Sequence, residues 1–250
     1  MQKTRILVVG GTSTISEYCL REWVKKQDCD VILLGRNKEK LQLVTSDLQV
    51  RSPNSTFESH VVDFTNPTDI HNVISDIFTK GRIDIALIAH GILPDQEALQ
   101  IDVAKNKASL EINGISPVLF AEEIVNYMLK ENYGSLGIIG SVAGDRGRKS
   151  NYIYGSAKAM IDKYIQGMQH RLALANSKVK VSLIKPGPTK TTMTQSITGK
   201  GKMAEPKQVA LDIVSGMQKG KRVIYTPKKW ALIMTVVKHI PMFLFRKIDI

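Results

Sequence analysis

Short apolar runs alternate with helical stretches along nearly the whole chain, and glycine or a polar residue ends each run. Arg5–Val9 is followed by Gly10-Gly11, and Val31–Leu34 is followed by Gly35. Further runs are found at His60–Val62, Ile83–Ala89, Ser135–Ile139, Val179–Ile184 and Arg222–Tyr225, with long helical patterns near residues 98–131 and 152–175. Strands that alternate with helices in this way are typical of a mostly parallel sheet covered on both faces. We therefore predict a single α/β fold built on a doubly wound sheet.

The composition fits one folded domain. The chain has 250 residues, of which 43% are hydrophobic and 23% charged, so it is neither disordered nor fibrous. No linker rich in proline, glycine or serine divides it, so we expect a domain over residues 1–226 and a C-terminal segment over residues 227–250.

Two cysteines exclude a disulfide framework and a four-cysteine zinc site, and we predict no metal. The first apolar run begins near residue 1, so we expect no signal peptide and a cytoplasmic protein.

The chain is strongly basic, with a net charge of +12. Such a surface attracts nucleic acid, phosphorylated ligands or an anionic membrane face, and the alternative is a basic but otherwise ordinary surface. No zinc finger, recognition helix or aromatic stacking platform is present, so we expect no nucleic-acid binding. Residues 219–250 contain eight lysines and arginines, one acidic residue and two apolar stretches too short to span a bilayer. Residues 228–247 are therefore predicted either to contact the inner membrane surface or to form a terminal helix that covers the substrate cleft or packs in a dimer.

The residues after the first strand form a candidate phosphate-binding loop. Gly10-Gly-Thr-Ser-Thr-Ile-Ser16 leads into a helix, so backbone N–H groups and a helix N-terminus would face a pyrophosphate. The usual dinucleotide fingerprint has three glycines, and this chain replaces the later two with Thr14 and Ser16. The candidate cofactor contacts in this loop are Gly10, Thr12, Ser13, Thr14 and Ile15. A plain strand-to-helix turn is the alternative.

Arg36 follows the second strand, where an acidic residue would hydrogen-bond the ribose 2′-OH of NAD. An arginine at this place can pair with a 2′-phosphate, so the sequence favours NADP(H) if a dinucleotide binds. The alternative is a solvated arginine at the start of a helix.

Two further strand ends carry candidate cofactor contacts. Asp63 follows the third strand and can accept a hydrogen bond from an adenine amino group, with Phe64 nearby, although Asp63 can equally cap a turn or helix. Ala89, His90 and Gly91 follow the fourth strand, where a glycine lets the backbone approach a ligand. We do not assign a catalytic role to His90, because a lone histidine is more often structural.

Ser141, Tyr154 and Lys158 form a candidate catalytic set. Tyr154 and Lys158 are four residues apart and share one helix face, while Ser141 closes the fifth predicted strand. A nearby ammonium favours the phenolate, so we expect Lys158 to lower the pKa of Tyr154 and make it a general acid/base near neutral pH. The Ser141 hydroxyl can orient a substrate carbonyl.

Over about residues 5–226 the sequence resembles the short-chain dehydrogenase/reductase family, whose fold is Rossmann-like. The motifs that carry the resemblance are the Gly10 loop, Asp63, Ala89-His90-Gly91, Asn113, Ser141, Tyr154 with Lys158, and Pro186-Gly187 followed by Thr191. The resemblance implies that Tyr154 protonates a carbonyl oxygen, Lys158 holds the nicotinamide ribose, and Asn113 supports a water-linked proton relay. It also implies a nicotinamide side lined by Pro186, Gly187, Thr189 and Thr191, and a homodimer or homotetramer formed through the long helices.

The chain departs from the family pattern in the glycine loop and at Ile88-Ala89-His90-Gly91, where the family has Asn-Asn-Ala-Gly. These changes either weaken cofactor binding or mark a subgroup, and the intact catalytic set favours a subgroup. Residues 89–96, 141–148 and 154–158 resemble decaprenylphosphoryl-2-keto-ribose reductases. This resemblance implies NADPH-dependent reduction of a keto-sugar, small or polyprenyl-phosphate-linked, in cell-envelope synthesis. The alternatives are a nucleotide-sensing protein and a membrane-associated scaffold on the same fold.

Overall fold

A seven-stranded parallel sheet forms the centre of the computed structural model, which describes residues 3–195 and 203–248. The strands are β1 (Thr4–Val9), β2 (Cys29–Gly35), β3 (Thr56–Val61), β4 (Ile85–Ile88), β5 (Ser135–Ile139), β6 (Lys180–Pro186) and β7 (Val223–Thr226). Their order is β3-β2-β1-β4-β5-β6-β7. The first three strands are added toward one edge of the sheet and the last four toward the other, so the strand order reverses between β1 and β4. The predicted doubly wound α/β fold is confirmed.

Helices cover both faces of this sheet. They are α1 (Thr14–Val24), α2 (Lys38–Arg51), α3 (Pro67–Thr79), α4 (Gln96–Gln100), α5 (Val103–Leu110), α6 (Ser116–Glu131), α7 (Tyr152–Leu174), α8 (Pro206–Gln218), α9 (Lys229–His239) and α10 (Met242–Phe245). One core joins the sheet to α3, α6 and α7 through buried residues such as Ile74, Phe120 and Ile161. A second core joins the opposite face to α1, α2 and α8 through residues such as Leu20 and Ile213.

The helical pattern predicted near residues 98–131 is interrupted, whereas the one near 152–175 forms a single helix, α7. Asp95 caps α4 by accepting a hydrogen bond from the Ala98 N–H at 2.9 Å, and Asp102 caps α5 in the same way from Lys105 at 3.0 Å. A capping aspartate begins a new helix, which explains the break. A π-helical turn, Glu111–Ile115, then joins α5 to α6.

The C-terminal segment folds back onto the edge of the sheet where β5 and β6 end. Met234 of α9 is buried, and the Trp230 indole lies against Gly187, which directly follows β6. Arg146 donates hydrogen bonds to the carbonyl oxygens of Lys238 and Ile240, at 2.8 and 3.0 Å, where α9 ends. Among the described residues, the helices are all too short or too polar to cross a bilayer.

Candidate active site

The predicted site residues lie at one edge of the sheet because they follow the carboxyl ends of parallel strands. β1 and β4 are neighbours, and the chain changes direction between them. Ligands of doubly wound sheets bind in the crevice that such a reversal opens. The loops after β1, β2, β4, β5 and β6 therefore surround one cleft.

The loop after β1 has the geometry of a phosphate-binding turn despite its missing glycines. Gly10 has a φ of +87°, and an added Cβ would come within 2.6 Å of the His90 backbone nitrogen, so only glycine fits. Ser16 is fully buried, and its Oγ lies 2.8 Å from the carbonyl oxygens of both Gly10 and Ser13. The serine therefore holds the loop against α1 where the family fingerprint has glycine. No side chain caps α1, so the backbone N–H groups of its first residues, Thr14 and Ile15, stay available to an anion. The Ser13 N–H is not among them, because it donates to the Gly10 carbonyl at 3.0 Å.

Arg36 and Asp63 lie at the ends of the neighbouring strands β2 and β3. Arg36 is exposed. Oδ1 of Asp63 accepts hydrogen bonds from the backbone N–H and the hydroxyl of Thr65, at 2.8 and 2.7 Å. These bonds, with a smaller contribution from Arg36, hold the pKa of Asp63 below its usual value. The turn-forming alternative for Asp63 is thus observed, and Asn66 rather than Asp63 caps α3.

The ring of Phe64 belongs to the core, and its place beside an adenine stays a prediction. Phe64 is 2% exposed, and its ring centroid lies 4.6 Å from that of His90 and 5.3 Å from that of Phe120. His90 is also buried, with Nε2 2.8 Å from the Ser116 hydroxyl. Burial, aided by the charge of Lys158, lowers the pKa of His90 to about 3, so this histidine is neutral near pH 7.

Three candidate site residues lie close together near the ends of β4 and β5, namely Gly91, Asn113 and Lys158. Asn113 lies in the π-helical turn, where its Oδ1 accepts a hydrogen bond from the Ile92 N–H at 2.8 Å and its amide donates to Ser109 at 3.3 Å. A Cβ added to Gly91 would lie 2.9 Å from this Oδ1 and 3.7 Å from the Lys158 ammonium nitrogen. The glycine therefore leaves space between the two residues to which the family resemblance gives the proton relay.

Ser141, Tyr154 and Lys158 are brought together by the packing of α7 on the turn after β5. The Ser141 hydroxyl accepts a hydrogen bond from the Ala143 N–H at 3.0 Å, which caps the short helical turn Val142–Gly144. Lys158 donates to the carbonyl of Ile139 at 3.0 Å, and its Nζ lies 5.7 Å from the centre of the Tyr154 ring. The predicted catalytic side chains thus lie close together.

The pKa of Tyr154 is raised, not lowered as the spacing with Lys158 predicted. Burial raises it to about 12, and a hydrogen bond with Ser141 only partly opposes this rise. Burial also lowers the pKa of Lys158 to about 8. Desolvation therefore outweighs the nearby charge in this cleft. A phenol with such a pKa is protonated near pH 7 and can donate its proton.

The residues expected on the nicotinamide side form an ordered turn after β6, whose last residue is Pro186. The Gly187 N–H donates to the Thr226 carbonyl at 2.9 Å, and the buried Thr189 hydroxyl donates to the Gly187 carbonyl at 2.9 Å. Thr191 begins the short helical turn Thr192–Thr194. A side chain on Gly187 would overlap the Trp230 indole, so α9 forms part of the wall here.

An ionic cluster centred on Asp145 was missed by sequence reasoning. Its Oδ1 lies 2.5 Å from Lys185 Nζ and 3.0 Å from Lys238 Nζ, and its Oδ2 accepts from the Tyr225 hydroxyl at 2.8 Å. Lys185 also lies 2.5 Å from Asp162 of α7. The cluster connects the turn after Ser141 with β6, β7 and α9. Its members are too distant in sequence for spacing to reveal it.

Comparisons with known proteins agree with this architecture. The family model described as short chain dehydrogenase matches residues 4–201. An uncharacterized oxidoreductase of Mycobacterium tuberculosis is 32% identical over 247 residues, which cover 97% of this chain and 96% of the relative. An uncharacterized oxidoreductase of Streptomyces coelicolor is 26% identical, over 97% and 95% of the two chains.

A short-chain dehydrogenase from Sphingobium yanoikuyae, solved in complex with NADPH, superposes with a TM-score of 0.83 at 20% identity, over 99% of this chain and 96% of that one. One from Burkholderia cenocepacia, in complex with NADP, gives 0.82 at 18% identity, over 98% and 97%. The chain belongs to the short-chain dehydrogenase family of oxidoreductases.

Proposed function

We propose that this protein uses NADPH to reduce a ketone to a secondary alcohol, and that the ketone is a keto-sugar. The observation that carries the proposal is the close approach of Ser141, Tyr154 and Lys158, with a tyrosine that is protonated near pH 7. A protonated phenol suits reduction, in which the carbonyl oxygen must gain a proton.

Several features of the cleft fit a dinucleotide phosphate. The uncapped start of α1 would offer its first backbone N–H groups to a pyrophosphate, and the Gly10 turn leads the chain into it. Arg36 is exposed at the end of β2 and would pair with a 2′-phosphate. Asp63 would accept a hydrogen bond from an adenine amino group. Gly91, Lys158 and the turn from Pro186 to Thr191 would border the nicotinamide end. When bound, NADPH supplies the hydride.

The chain's own residues would manage the proton and the position of the carbonyl. Ser141 accepts from a backbone N–H, and its own proton would move from Tyr154 to the substrate oxygen when a ketone is bound. Tyr154 would donate its phenolic proton to that oxygen. Lys158, with a pKa lowered by burial to about 8, is mainly a cation near pH 7 and favours the phenolate left behind. Asn113 is fixed by the Ile92 N–H and would support reprotonation through the space beside Gly91.

The keto-sugar assignment rests on sequence resemblance, and the C-terminal segment supports a lipid-linked form of it. Apolar side chains of α9 and α10 are exposed, among them Leu232 (73%), Val236 (60%) and Phe243 (60%). Exposed basic residues accompany them at Lys228, Lys229, Arg246 and Lys247. An apolar surface bordered by cations suits an anionic bilayer surface, where a polyprenyl-phosphate sugar would be found. We therefore infer peripheral membrane contact through residues 228–247.

Self-association through α6 and α7 is a further part of the proposal. Tyr164 of α7 is 38% exposed, and Ile115, just before α6, is 45% exposed. Apolar surface of this kind on long helices suits a dimer or tetramer interface. Sedimentation of the purified protein would test this, with a monomer as the contradicting result.

Calorimetry with NADPH and NADH tests the cofactor and the arginine together. We expect clear NADPH preference in the wild type, which Arg36→Ala should abolish and the exposed neighbour control Lys38→Ala should keep. Tyr154→Phe should bind NADPH normally and lose turnover with ketones, whereas Tyr152→Phe, which changes a 42% exposed tyrosine two residues earlier, should keep both. Appreciable turnover by Tyr154→Phe would remove that residue from its role.

The same experiments separate the alternatives. A nucleotide sensor would bind NADPH without oxidising it in the presence of any ketone. A scaffold would bind vesicles without turnover. Membrane contact itself is tested by sedimentation with phosphatidylglycerol vesicles. The double substitution of Leu232 and Val236 by glutamate should abolish binding, and the same change at the exposed Leu43 and Val50 of α2 should not.

A further inference from the structure

Unpartnered polar atoms are found in the segment that leads into Tyr154 and in a side chain that contacts this segment. Among the described residues, six buried side-chain nitrogen or oxygen atoms have no hydrogen-bond partner, and three of them belong to Gln96, Arg148 and Asn151. Leaving a buried polar group without a partner is costly, so such groups usually meet a ligand or water. Arg148 and Asn151 lie in the loop that joins Ser141 to α7, and Gln96 contacts the first turn of α7.

Gln96 is held in a fixed orientation. The residue is 9% exposed, and its Oε1 accepts a hydrogen bond from the Ile153 N–H at 3.2 Å. Ile153 directly precedes Tyr154, so the glutamine side chain reaches the catalytic turn. Its Nε2, which carries two N–H donors, is buried without an acceptor.

The side chain of Asn151 does not cap α7, although the residue is at the N-cap position. It stands at the N-cap of α7, where an asparagine oxygen normally accepts from a backbone N–H of the first turn. Its side chain makes no such bond, and Gln96 takes the Ile153 N–H instead. Oδ1 of Asn151 is left buried and without a donor.

Arg148 brings a partly desolvated positive charge to the same loop. Its carbonyl accepts from the Asn151 N–H at 3.2 Å, which fixes the two residues in one turn. Its Nε is buried without an acceptor, and burial lowers the pKa of the guanidinium, with a smaller opposing effect of Asp145. An arginine stays charged in proteins, so a buried guanidinium favours an anionic partner.

We propose that Gln96, Arg148 and Asn151 form the recognition subsite for the substrate, and that it selects a hydroxyl-rich ketone carrying a phosphate. Arg148 would bind the phosphate, Gln96 would donate to a sugar oxygen, and Asn151 would accept from a sugar hydroxyl. The inference rests on the proposed function, because it supplies the substrate class for Tyr154. The phosphate can belong to a free sugar phosphate or to a lipid-linked sugar.

Binding of unreactive sugars to the protein, with and without NADPH, tests this subsite. The probes are ribose 1-phosphate, farnesyl-phosphoryl ribose and methyl riboside, none of which is a ketone that NADPH can reduce. We expect the wild type to bind a phosphorylated probe about 10-fold or more tightly than methyl riboside, because a charge-assisted hydrogen bond is gained. Tighter binding of ribose 1-phosphate points to a free sugar phosphate, and tighter or equal binding of the farnesyl ester points to a lipid-linked sugar.

Variants then assign the contacts. Arg148→Met should remove the preference for phosphate, Arg148→Lys should restore part of it, and Gln96→Leu should weaken all three probes about 10-fold. Arg222→Met and Gln42→Leu, which change exposed residues of the same types, should leave all affinities unchanged. Thermal unfolding of each variant checks that it folds.

The inference is overturned if the wild type shows no preference for phosphorylated probes, or if a folded Arg148→Met keeps that preference. Failure of the proposed function has a different signature, namely no NADPH binding. The sugar affinities measured without NADPH still decide the subsite in that case.

Discussion

The ammonium of Lys238 lies 3.0 Å from Oδ1 of Asp145, which joins α9 to the turn that follows Ser141. The Asp145 side chain is fully buried, and that of Lys238 is 36% exposed. Arg146, the next residue, binds the last carbonyls of α9 and stacks over Phe245 at 4.4 Å. These contacts join the C-terminal segment to the turn after Ser141, so a displacement of one segment would displace the other.

Replacing Lys238 with methionine should loosen the C-terminal segment without unfolding the domain. Asp145 keeps Lys185 and Tyr225 as partners, so we expect the free energy of unfolding in urea to fall by only about 1 kcal/mol. Hydrogen exchange over residues 229–245 should accelerate. Lys228→Met, an exposed lysine just before α9, is the control, and equal acceleration in both variants would argue against the link to Asp145.

Gly91→Ala should impair catalysis more than folding. The new Cβ would come 2.9 Å from Oδ1 of Asn113, so Asn113 must shift and its bond to Ile92 weakens. Overpacking of this kind costs about 1–3 kcal/mol, and we expect kcat/KM with NADPH to fall about 10-fold or more. Gly147→Ala is the matched control, because a Cβ there meets nothing within 4 Å. Wild-type kinetics for Gly91→Ala would show that the space beside this glycine is not used.

Lys158→Met should change how stability depends on pH. The folded-state pKa of Lys158 is lowered by burial to about 8, from an ordinary value of 10.5. Between these two values the unfolded chain binds more protons than the folded chain, so this lysine makes stability rise with pH. We expect the stability of the wild type relative to the variant to increase by about 2 kcal/mol between pH 8 and 9.5, at up to about 1.4 kcal/mol per pH unit.

The measurement is urea unfolding at several pH values. Lys163→Met, an exposed lysine on the same helix, should run parallel to the wild type. Parallel curves for the wild type and Lys158→Met would mean that Lys158 titrates normally.

Gly187→Ala should displace α9 from the turn after β6. A Cβ at this position overlaps the Trp230 indole, so either the indole or the turn after β6 must move. We expect a loss of about 1–3 kcal/mol in unfolding free energy and a red-shifted tryptophan emission, since the other tryptophan, Trp23, is only 6% exposed.

Adding Trp230→Ala to Gly187→Ala should recover part of the lost stability, because the overlap disappears. Gly167→Ala, where a Cβ meets nothing within 4 Å, serves as the control. No recovery in the double variant would mean that the damage lies in the turn itself.

The sheet could be predicted because its inner strands are continuous apolar runs. β1 and the middle of β2 are buried on both faces, and such runs are readable directly. β3 begins at Thr56, earlier than predicted. The prediction missed this start because none of the residues of this edge strand is buried, so the strand has no continuous apolar run. The π-helical turn at Glu111–Ile115 had no signal either, since a helical pattern with one extra residue still reads as helical.

The site could be predicted where it depends on residues close in sequence. The Tyr154–Lys158 spacing placed both side chains on one face of α7, but the spacing carried no information on burial, which sets their pKa values. Phe64 was assigned to the cleft because it follows a strand, and only the packing of α6 reveals that Phe120 covers its ring. Gln96 contacts Ile153 from a different helix, so no local pattern could connect them.

The π-helical turn before α6 determines how the residues of α6 are rotated about the helix axis relative to Asn113. With one residue more than a regular turn requires, Asn113 faces the cleft while α6 still buries Phe120 and Ile124 in the core. Loss of one residue from Glu111–Ile115 would rotate one side of the helix by about 100° relative to the other. Either the asparagine or the core stripe would then point the wrong way. The length of this segment is therefore as tightly constrained as the identity of the residues it carries.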